Sequence, residues 1–374
     1  MRLFVSCVPF DDGRSGISVY IRNVIRELAA QGHDLTLLVE SGMSHHFNGF
    51  KTIEMPSFTR RAVFSMLYHA FVVPFMISRN KYDACLITAA NRRSFLFYPV
   101  PTMSVVHDLS QYHVENKYDA FRTFYIKKVL PWLIRGSKYV AAVSHATATD
   151  LERYWHVPHE KIHVAYNGLS LPDTHRSGWL AAHPRLRSGH YVFYVSRLEH
   201  PGKNHVRLIQ AYEGLPEELR HDYPLVLAGA DWPGSEAIHA AAEASHAKDD
   251  IVFCGFVDSA DMKEAYENAA CYVFPSLFEG FGLSLIEAMH YGVPCGCSNT
   301  SSLGEIGGDT SVQFDPTSVD EIRQALTMLL TDETERARLH AEGPKRAAQF
   351  NWRNHARILS NAMTQTAQHD HCEG

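Results

Sequence analysis

The chain has 374 residues, more than one hydrophobic core usually organises, so two domains are expected. Its 45% apolar and 20% charged residues suit a globular fold, and no run of about 18 uncharged apolar residues offers a membrane span. The net charge of −6 hides an asymmetry: residues 1–168 hold 19 Lys and Arg against 13 Asp and Glu, and the remainder holds 16 against 28. A basic front half suits an anionic membrane surface or a phosphorylated acceptor, or is no more than a differently solvated face. Nucleic acid is not an expected partner, because no basic stripe interleaved with stacking aromatics runs through the chain.

The N-terminus turns polar too early for a secretion signal and reads as a first buried strand, which places the chain in the cytoplasm. Apolar runs at 3–8, 35–39, 85–88, 102–106, 139–143 and 162–166 read as buried parallel strands. Between the first two, 18–31 carries Val19, Ile21, Val24, Ile25 and Leu28 at helical spacing and ends at Gly32, a C-terminal cap. Ser144 is the expected N-cap of a further helix. Two stretches, 60–81 and 117–138, mix aromatic, apolar and basic residues. They read as core helices with wet faces, with a place on a membrane surface as the alternative, and Pro74 and Pro131 limit any long straight helix.

The pattern breaks at Asn167-Gly168-Leu169, and a polar stretch follows to about residue 190. Strand-like runs then resume at 191–196, 225–228, 251–256, 271–274, 294–298 and 312–314. Strand–helix alternation repeated around a linker predicts two doubly wound α/β domains, 1–168 and 169–351. Ligands are then expected beyond the carboxyl ends of strands, in a cleft between the domains. A last helical stretch, 335–366, holds Asn351-Trp352-Arg353 near its middle. The seven cysteines are scattered and mostly lie in apolar runs, so they read as core thiols; Cys295-Gly-Cys297 has no second pair to complete a zinc set.

Chemistry concentrates in 274–288 (FPSLFEGFGLSLIEA), where a strand gives way to a helix near Gly282. Gly280 and Gly282 let backbone N–H groups approach a ligand, and the positive helix start suits a diphosphate. Glu279 and Glu287 flank that point, and each carboxylate can accept two hydrogen bonds from a sugar or ribose diol. Apolar neighbours around Glu287 argue against a freely solvated face. Earlier in the second domain, Val195-Ser196-Arg197 and then Lys203 put two cations at a strand end, where they could neutralise a diphosphate leaving group. In the first domain, the 9–17 loop with Gly16 links a strand to a helix, and His107 ends a strand.

The 278–292 segment resembles the E-x7-E signature of the retaining family 4 glycosyltransferases with the GT-B fold, and the likeness extends over nearly the whole chain. The resemblance implies that Glu279 holds hydroxyls of the transferred sugar and Glu287 the ribose, with backbone contacts from Gly280, Phe281, Gly282 and Leu283. It implies that Arg197 and Lys203 stabilise the leaving group beside Ser196, and that Gly229 forms the close-packed turn by the nucleotide. It assigns Phe253, Gly255 and Phe256 to the base edge, and gives His107 and Gly16 to the donor. The Ser15-Gly16 pair departs from the family's commoner Gly-Gly, which weakens phosphate contact by that whole loop. Phe350-Asn351-Trp352 resembles the place where the family's chain crosses back, so that 352–374 packs on the first domain and a hinge lies near 350.

The implied reaction is transfer of a sugar with retention, by same-face attack, the departing diphosphate removing the acceptor proton. No Asp-x-Asp motif occurs, so no metal and no cofactor are expected. The chain is similar to bacterial mannosyltransferases of polysaccharide and O-antigen assembly. GDP-mannose is therefore the first expected donor, a UDP-sugar the second, and a glycan or lipid-linked molecule the acceptor. Location is expected in the cytoplasm, with peripheral contact to the inner face of an anionic membrane. A sugar-nucleotide epimerase or a phosphorylase on the same scaffold competes; a silent sugar-binding protein is disfavoured because Arg197, Lys203, Glu279 and Glu287 occur together.

Overall fold

A computed structural model describes residues 1–13, 15–114, 120–172 and 174–372. Arg14 of the 9–17 loop and residues 117–119 of the 117–138 stretch lie outside the described residues, and of Cys372 only the backbone is described. The chain divides into two compact units: unit 1 is Met1–Gly168 with Asn351–Gly374, and unit 2 is Leu169–Phe350.

Unit 1 is built on seven strands: β1 (Arg2–Ser6), β2 (Asp34–Val39), β3 (Lys51–Glu54), β4 (Ala84–Ile87), β5 (Thr102–Val106), β6 (Tyr139–Ala142) and β7 (Ile162–Val164). They lie in the order β3-β2-β1-β4-β5-β6-β7, every pair parallel. Strands β4 and β5 are buried at every position, as expected of apolar runs covered on both faces by helices. β3 was not expected: Lys51-Thr52-Ile53-Glu54 is an edge strand with no buried residue, so it lacks the apolar signal. The helix Gly16–Ala30 is capped by Ser15, whose side chain accepts from the Ser18 N–H, and it stops where Gly32 turns with φ +82°. Ser144 caps His145–Trp155 in the same way, accepting from the Thr147 N–H at 3.1 Å.

The helical stretch expected at 335–366 forms two helices, Glu333–Ala347 and Trp352–Cys372. The break falls at 348–351, where Asn351 Oδ1 accepts from the Asn354 N–H at 2.8 Å and so starts a new helix. The second helix belongs to unit 1. His355 ties it down, with Nδ1 3.0 Å from the Tyr166 carbonyl oxygen and Nε2 2.8 Å from the Tyr20 hydroxyl.

The two mixed stretches differ from each other. The second runs as Ala120–Phe124, a wider π turn Tyr125–Val129, and Leu130–Arg135. The π turn absorbs Pro131, which cannot donate back into the helix. Ile126, Leu130, Leu133 and Ile134 enter the core, as expected, leaving Phe124 and Trp132 exposed. The first stretch corrects its expectation. Ala62–Phe71 buries Ser65, His69 and Ala70, while Val63, Phe64, Leu67 and Phe71 stay exposed. Polar side chains with fixed partners took the inner positions, and apolar ones were left outside.

Unit 2 holds β8 (Val192–Val195), β9 (Leu225–Ala228), β10 (Ile251–Gly255), β11 (Cys271–Phe274), β12 (Cys295–Ser298) and β13 (Val312–Phe314). The order is β10-β9-β8-β11-β12-β13, again all parallel. This is a doubly wound sheet whose order reverses between β8 and β11, and ligands bind outside the carboxyl ends of strands at such a reversal. The cysteines Cys7, Cys85, Cys271, Cys295 and Cys297 are free and buried, and burial pushes the Cys271 and Cys297 thiols up to about 12. Among the described residues, no helix is long and apolar enough to cross a membrane.

Candidate functional site

The loops that follow β8 and β11 meet at that reversal. Lys203 Nζ donates to Glu279 Oε1 at 2.5 Å, with both side chains mostly shielded. Three further bonds hold the loops: Leu277 N–H to the Gly202 carbonyl at 3.0 Å, and Asn204 Nδ2 to the carbonyls of Pro275 at 2.9 Å and Pro316 at 2.7 Å. Asn204 is buried and adopts φ +61°, a left-handed conformation that asparagine tolerates. It was not singled out as a site residue, because one Asn in a polar loop carries no sequence signal.

Glu279 is set by its backbone as well. Its N–H donates to Ser301 Oγ at 3.0 Å, and Ser302 Oγ donates to the carbonyls of Glu279 and Phe281, each at 2.9 Å. Phe281 turns its ring into unit 2 against Phe350, 5.7 Å between centroids, so its backbone and not its side chain faces the loop. The chain then turns through Gly282, at φ +107°, into Leu283–His290. A side chain there would be strained and would also press within 2.7 Å of Leu303, so the position needs glycine. The helix start leaves backbone N–H groups facing the loop of Gly280.

Glu287 lies on the same helix, half-buried. Burial pushes its carboxyl up to about 7, against the Tyr266 hydroxyl 3.2 Å from Oε2, which favours the ionised form. Tyr266 was missed by sequence reasoning: it sits 21 residues away with nothing but aromatic character to mark it.

Around β8 and β9 the packing is tighter still. Gly229 has φ +146°, and a Cβ on it would lie 1.8 Å from the Ser196 carbonyl oxygen. Its N–H donates to the Gly255 carbonyl at 2.7 Å, so Ser196, Gly229 and Gly255 are joined at adjacent strand ends. Ser196 Oγ lies 3.3 Å from His205 Nε2. Arg197 is half-exposed; its guanidinium stacks 4.6 Å over Trp232 and donates to Glu199 Oε2 at 3.1 Å. Phe253 packs on His239 at 4.7 Å, and Phe256 is exposed. The structure thus brings Lys203, Glu279 and the helix start together, and holds Arg197 by Trp232 and Glu199, neither of which sequence reasoning selected.

The remaining candidates lie in unit 1. His107 follows β5; burial lowers it to about 4, outweighing the bond to the Thr88 carbonyl, 2.7 Å from Nε2. It is therefore neutral, with Nε2–H committed to Thr88 and Nδ1 left as an acceptor. Tyr20 meets its ring edge-on at 4.6 Å. Gly16 opens the Gly16–Ala30 helix, where Asp11 already supplies an anion: its Oδ1 accepts from the Ser15 N–H at 3.0 Å and from the Ser18 hydroxyl. Among the described residues, Asp12, His45 and His46 are close enough to share an ion, but Arg22 lies 3.3 Å from His46 Nδ1, so a cation already faces that group.

The family model for glycosyl transferases group 1 matches residues 181–346, and that for glycosyltransferase family 4 matches residues 14–171. The chain is 31% identical over 256 residues to the O-antigen chain mannosyltransferase B of Escherichia coli, covering 67% of each. It is also 31% identical over 281 residues to the serotype-specific mannosyltransferase WbdA of Escherichia coli; that match covers 72% of this chain but only 34% of WbdA, about a third of its length. Among solved structures, HepE of Anabaena in complex with UDP and glucose superposes with a TM-score of 0.73 at 16% identity, over 98% of this chain and 100% of the other. That last likeness speaks to the fold alone.

Proposed function

We propose, for a hexosyltransferase that belongs to the family 4 glycosyltransferases of GT-B fold, that it moves mannose from GDP-mannose to a glycan or lipid-linked acceptor in polysaccharide assembly of the O-antigen type. The observation that carries this reading is the Lys203–Glu279 pair at the reversal of the unit 2 sheet, beside the helix start at Gly282. A sugar diphosphate answers both partners at once. Its anion takes Lys203 and the N–H groups of the helix start, and its sugar hydroxyls take Glu279.

Arg197 turns from Glu199 to the same diphosphate, Gly280, Phe281 and Leu283 contribute backbone, and Glu287 accepts the ribose diol. Ser196, Gly229, Phe253, Gly255 and Phe256 form the nucleoside side. His107 Nδ1 is available to accept from a substrate hydroxyl, and Gly16 starts the helix whose Tyr20 meets the His107 ring. The bond from the anomeric carbon to diphosphate breaks as the acceptor oxygen bonds the same face. The acceptor proton passes to a diphosphate oxygen, and configuration is retained. Arg197, Lys203 and the helix start stabilise the departing charge, so neither a metal nor a cofactor has a step in this scheme. Peripheral contact of unit 1 with an anionic membrane completes the proposal.

Thermal shift with GDP, UDP and ADP tests the donor. GDP should raise the melting temperature most, since a nucleotide bound only to the folded state stabilises by mass action; the largest shift from UDP would replace GDP-mannose with a UDP-sugar. NMR of the product should show the α-linkage of an α-linked donor. Turnover should persist in EDTA, and loss on EDTA with recovery in Mg²⁺ or Mn²⁺ would overturn the metal-free scheme. Product formed from donor alone would make the chain an epimerase.

A further inference from the structure

The helix Ala62–Phe71 is inside out. Its buried polar positions are satisfied from within unit 1: Ser65 Oγ accepts from Arg93 Nε at 3.1 Å, and His69 Nε2 lies 2.7 Å from Ser6 Oγ. Burial lowers His69 to about 3, so it sits there neutral. The outer side carries Phe64 (44% exposed), Leu67 (49%) and Phe71 (50%). This surface continues on both flanks. Phe58 meets Phe64 at 6.4 Å, and Phe75, 77% exposed, meets exposed Phe97 at 4.9 Å. The Leu96 N–H donates to the Ala70 carbonyl at 3.0 Å, which fixes the second flank to the helix.

The chain that forms the patch carries charge of nearly one sign, and the neighbouring acid Glu54 is engaged by the Gly42 and Ser44 N–H groups. Residues 55–107 contain a single acid, Asp83, and it is taken up by Arg2 at 2.6 Å. Arg60, Arg61, Arg79 and Lys81 lie exposed at the ends of the apolar helices. A contiguous apolar patch rimmed by polar groups marks an interaction site, and aromatic side chains ringed by Arg and Lys match an element that lies in a headgroup layer. A protein partner would need acidic groups placed to answer these cations, whereas anionic headgroups answer them wherever they fall.

We propose that the face formed by Phe58, Phe64, Leu67, Phe71, Phe75 and Phe97 is where unit 1 inserts into an anionic lipid surface, with Arg60, Arg61, Arg79 and Lys81 on the headgroups. This rests on the membrane contact proposed above and names its face. The test is flotation of the full chain with phosphatidylcholine vesicles, with and without an equal share of phosphatidylglycerol. The wild type should float only with the anionic vesicles, and less so at high salt. The triple substitution Phe64→Ser, Leu67→Ser, Phe71→Ser should cut partitioning at least about tenfold, because the apolar insertion is lost. Arg60→Gln with Arg61→Gln should cut it by about tenfold through charge alone.

Transfer to a water-soluble acceptor should be unchanged in both variants, since none of these side chains belongs to the proposed site. Anionic binding retained by both variants would refute this face while leaving a membrane contact elsewhere. No binding by the wild type would refute both. A wild-type dimer in light scattering that the triple substitution dissolves would make the face a contact between copies and overturn the lipid assignment.

Discussion

The two units share a parallel, doubly wound sheet and differ in almost everything laid over it. Unit 1 carries 21 Lys and Arg against 15 Asp and Glu, a net +6; unit 2 carries 14 against 26, a net −12. Among the described residues, eleven of the large apolar side chains left exposed lie in unit 1, and nine of them fall within 58–97; unit 2 leaves only Leu171, Trp232, Phe256 and Met328. In unit 2 the loops beside the Lys203–Glu279 pair and the β9 end turn through Gly229, Gly282 and Asn204, all at positive φ. The difference teaches that one scaffold can be specialised in two directions. One copy concentrates charged and polar groups at its strand-end loops, the other leaves apolar side chains on its outer helices, and the proposals above give each a separate task.

That division can be broken or sharpened by measurement. The largest effect is expected in unit 2. Lys203→Ala should lower kcat by about a thousandfold, the scale for losing one group aimed at developing charge, with no change in vesicle binding. A loss of tenfold or less in steady-state kinetics would remove Lys203 from the leaving-group role.

The next contrast is stability in acid. Unit 1 buries three neutral histidines, with His69 lowered to about 3 and His107 and His355 to about 4. Each stays unprotonated when folded and binds a proton once unfolded, so each destabilises the fold as pH falls below the unfolded value of about 6.5. From pH 6 to 5 these three should cost unit 1 about 3 kcal/mol. Burial of Glu40 raises its carboxyl and returns part of that. Unit 2 has His205, lowered to about 3, opposed by Glu287, raised to about 7. A raised carboxyl gains stability as pH falls from about 7 to its unfolded value, so the two nearly cancel. Hydrogen exchange read by mass spectrometry should therefore show unit 1 opening first at pH 5; equal opening of both units would refute the contrast.

The smallest effect belongs to Glu287 itself. If ribose hydroxyls donate to it, binding favours the ionised form, and nucleotide affinity should rise by about tenfold from pH 6 to pH 8. Calorimetry in buffers of different ionisation enthalpy should also detect the proton released. A flat profile would place the ribose elsewhere.

Much of this was readable beforehand, and the failures have physical causes. Buried parallel strands announce themselves as apolar runs, and the start of the Leu283–His290 helix was marked by Gly280 and Gly282. The edge strand β3 was silent because none of its residues is buried. Helical periodicity alone runs across 348–351, so the break there was signalled by the resemblance of Phe350-Asn351-Trp352 and, locally, by the Asn351 cap. The outward face of Ala62–Phe71 was misread for a deeper reason. Periodicity says which residues share a side of a helix, and an apolar side is assumed to face in unless polar partners such as Arg93 and Ser6 have claimed the interior. Glu199, Trp232 and Tyr266 escaped because the partners of Arg197 and Glu287 are brought to them by folding and not by a local motif.

The contact between Lys203 and Glu279 sets a toll on anything that enters. Each charge of the pair answers the other, so a phosphate arriving there has to compete with Glu279 for Lys203. A nucleoside diphosphate without its sugar can claim Lys203, but it strands Glu279 in a shielded spot with nothing to accept from. On the proposed function, a sugar diphosphate would satisfy both halves, and the pair would close again once the sugar had left, which would favour release of the spent nucleotide.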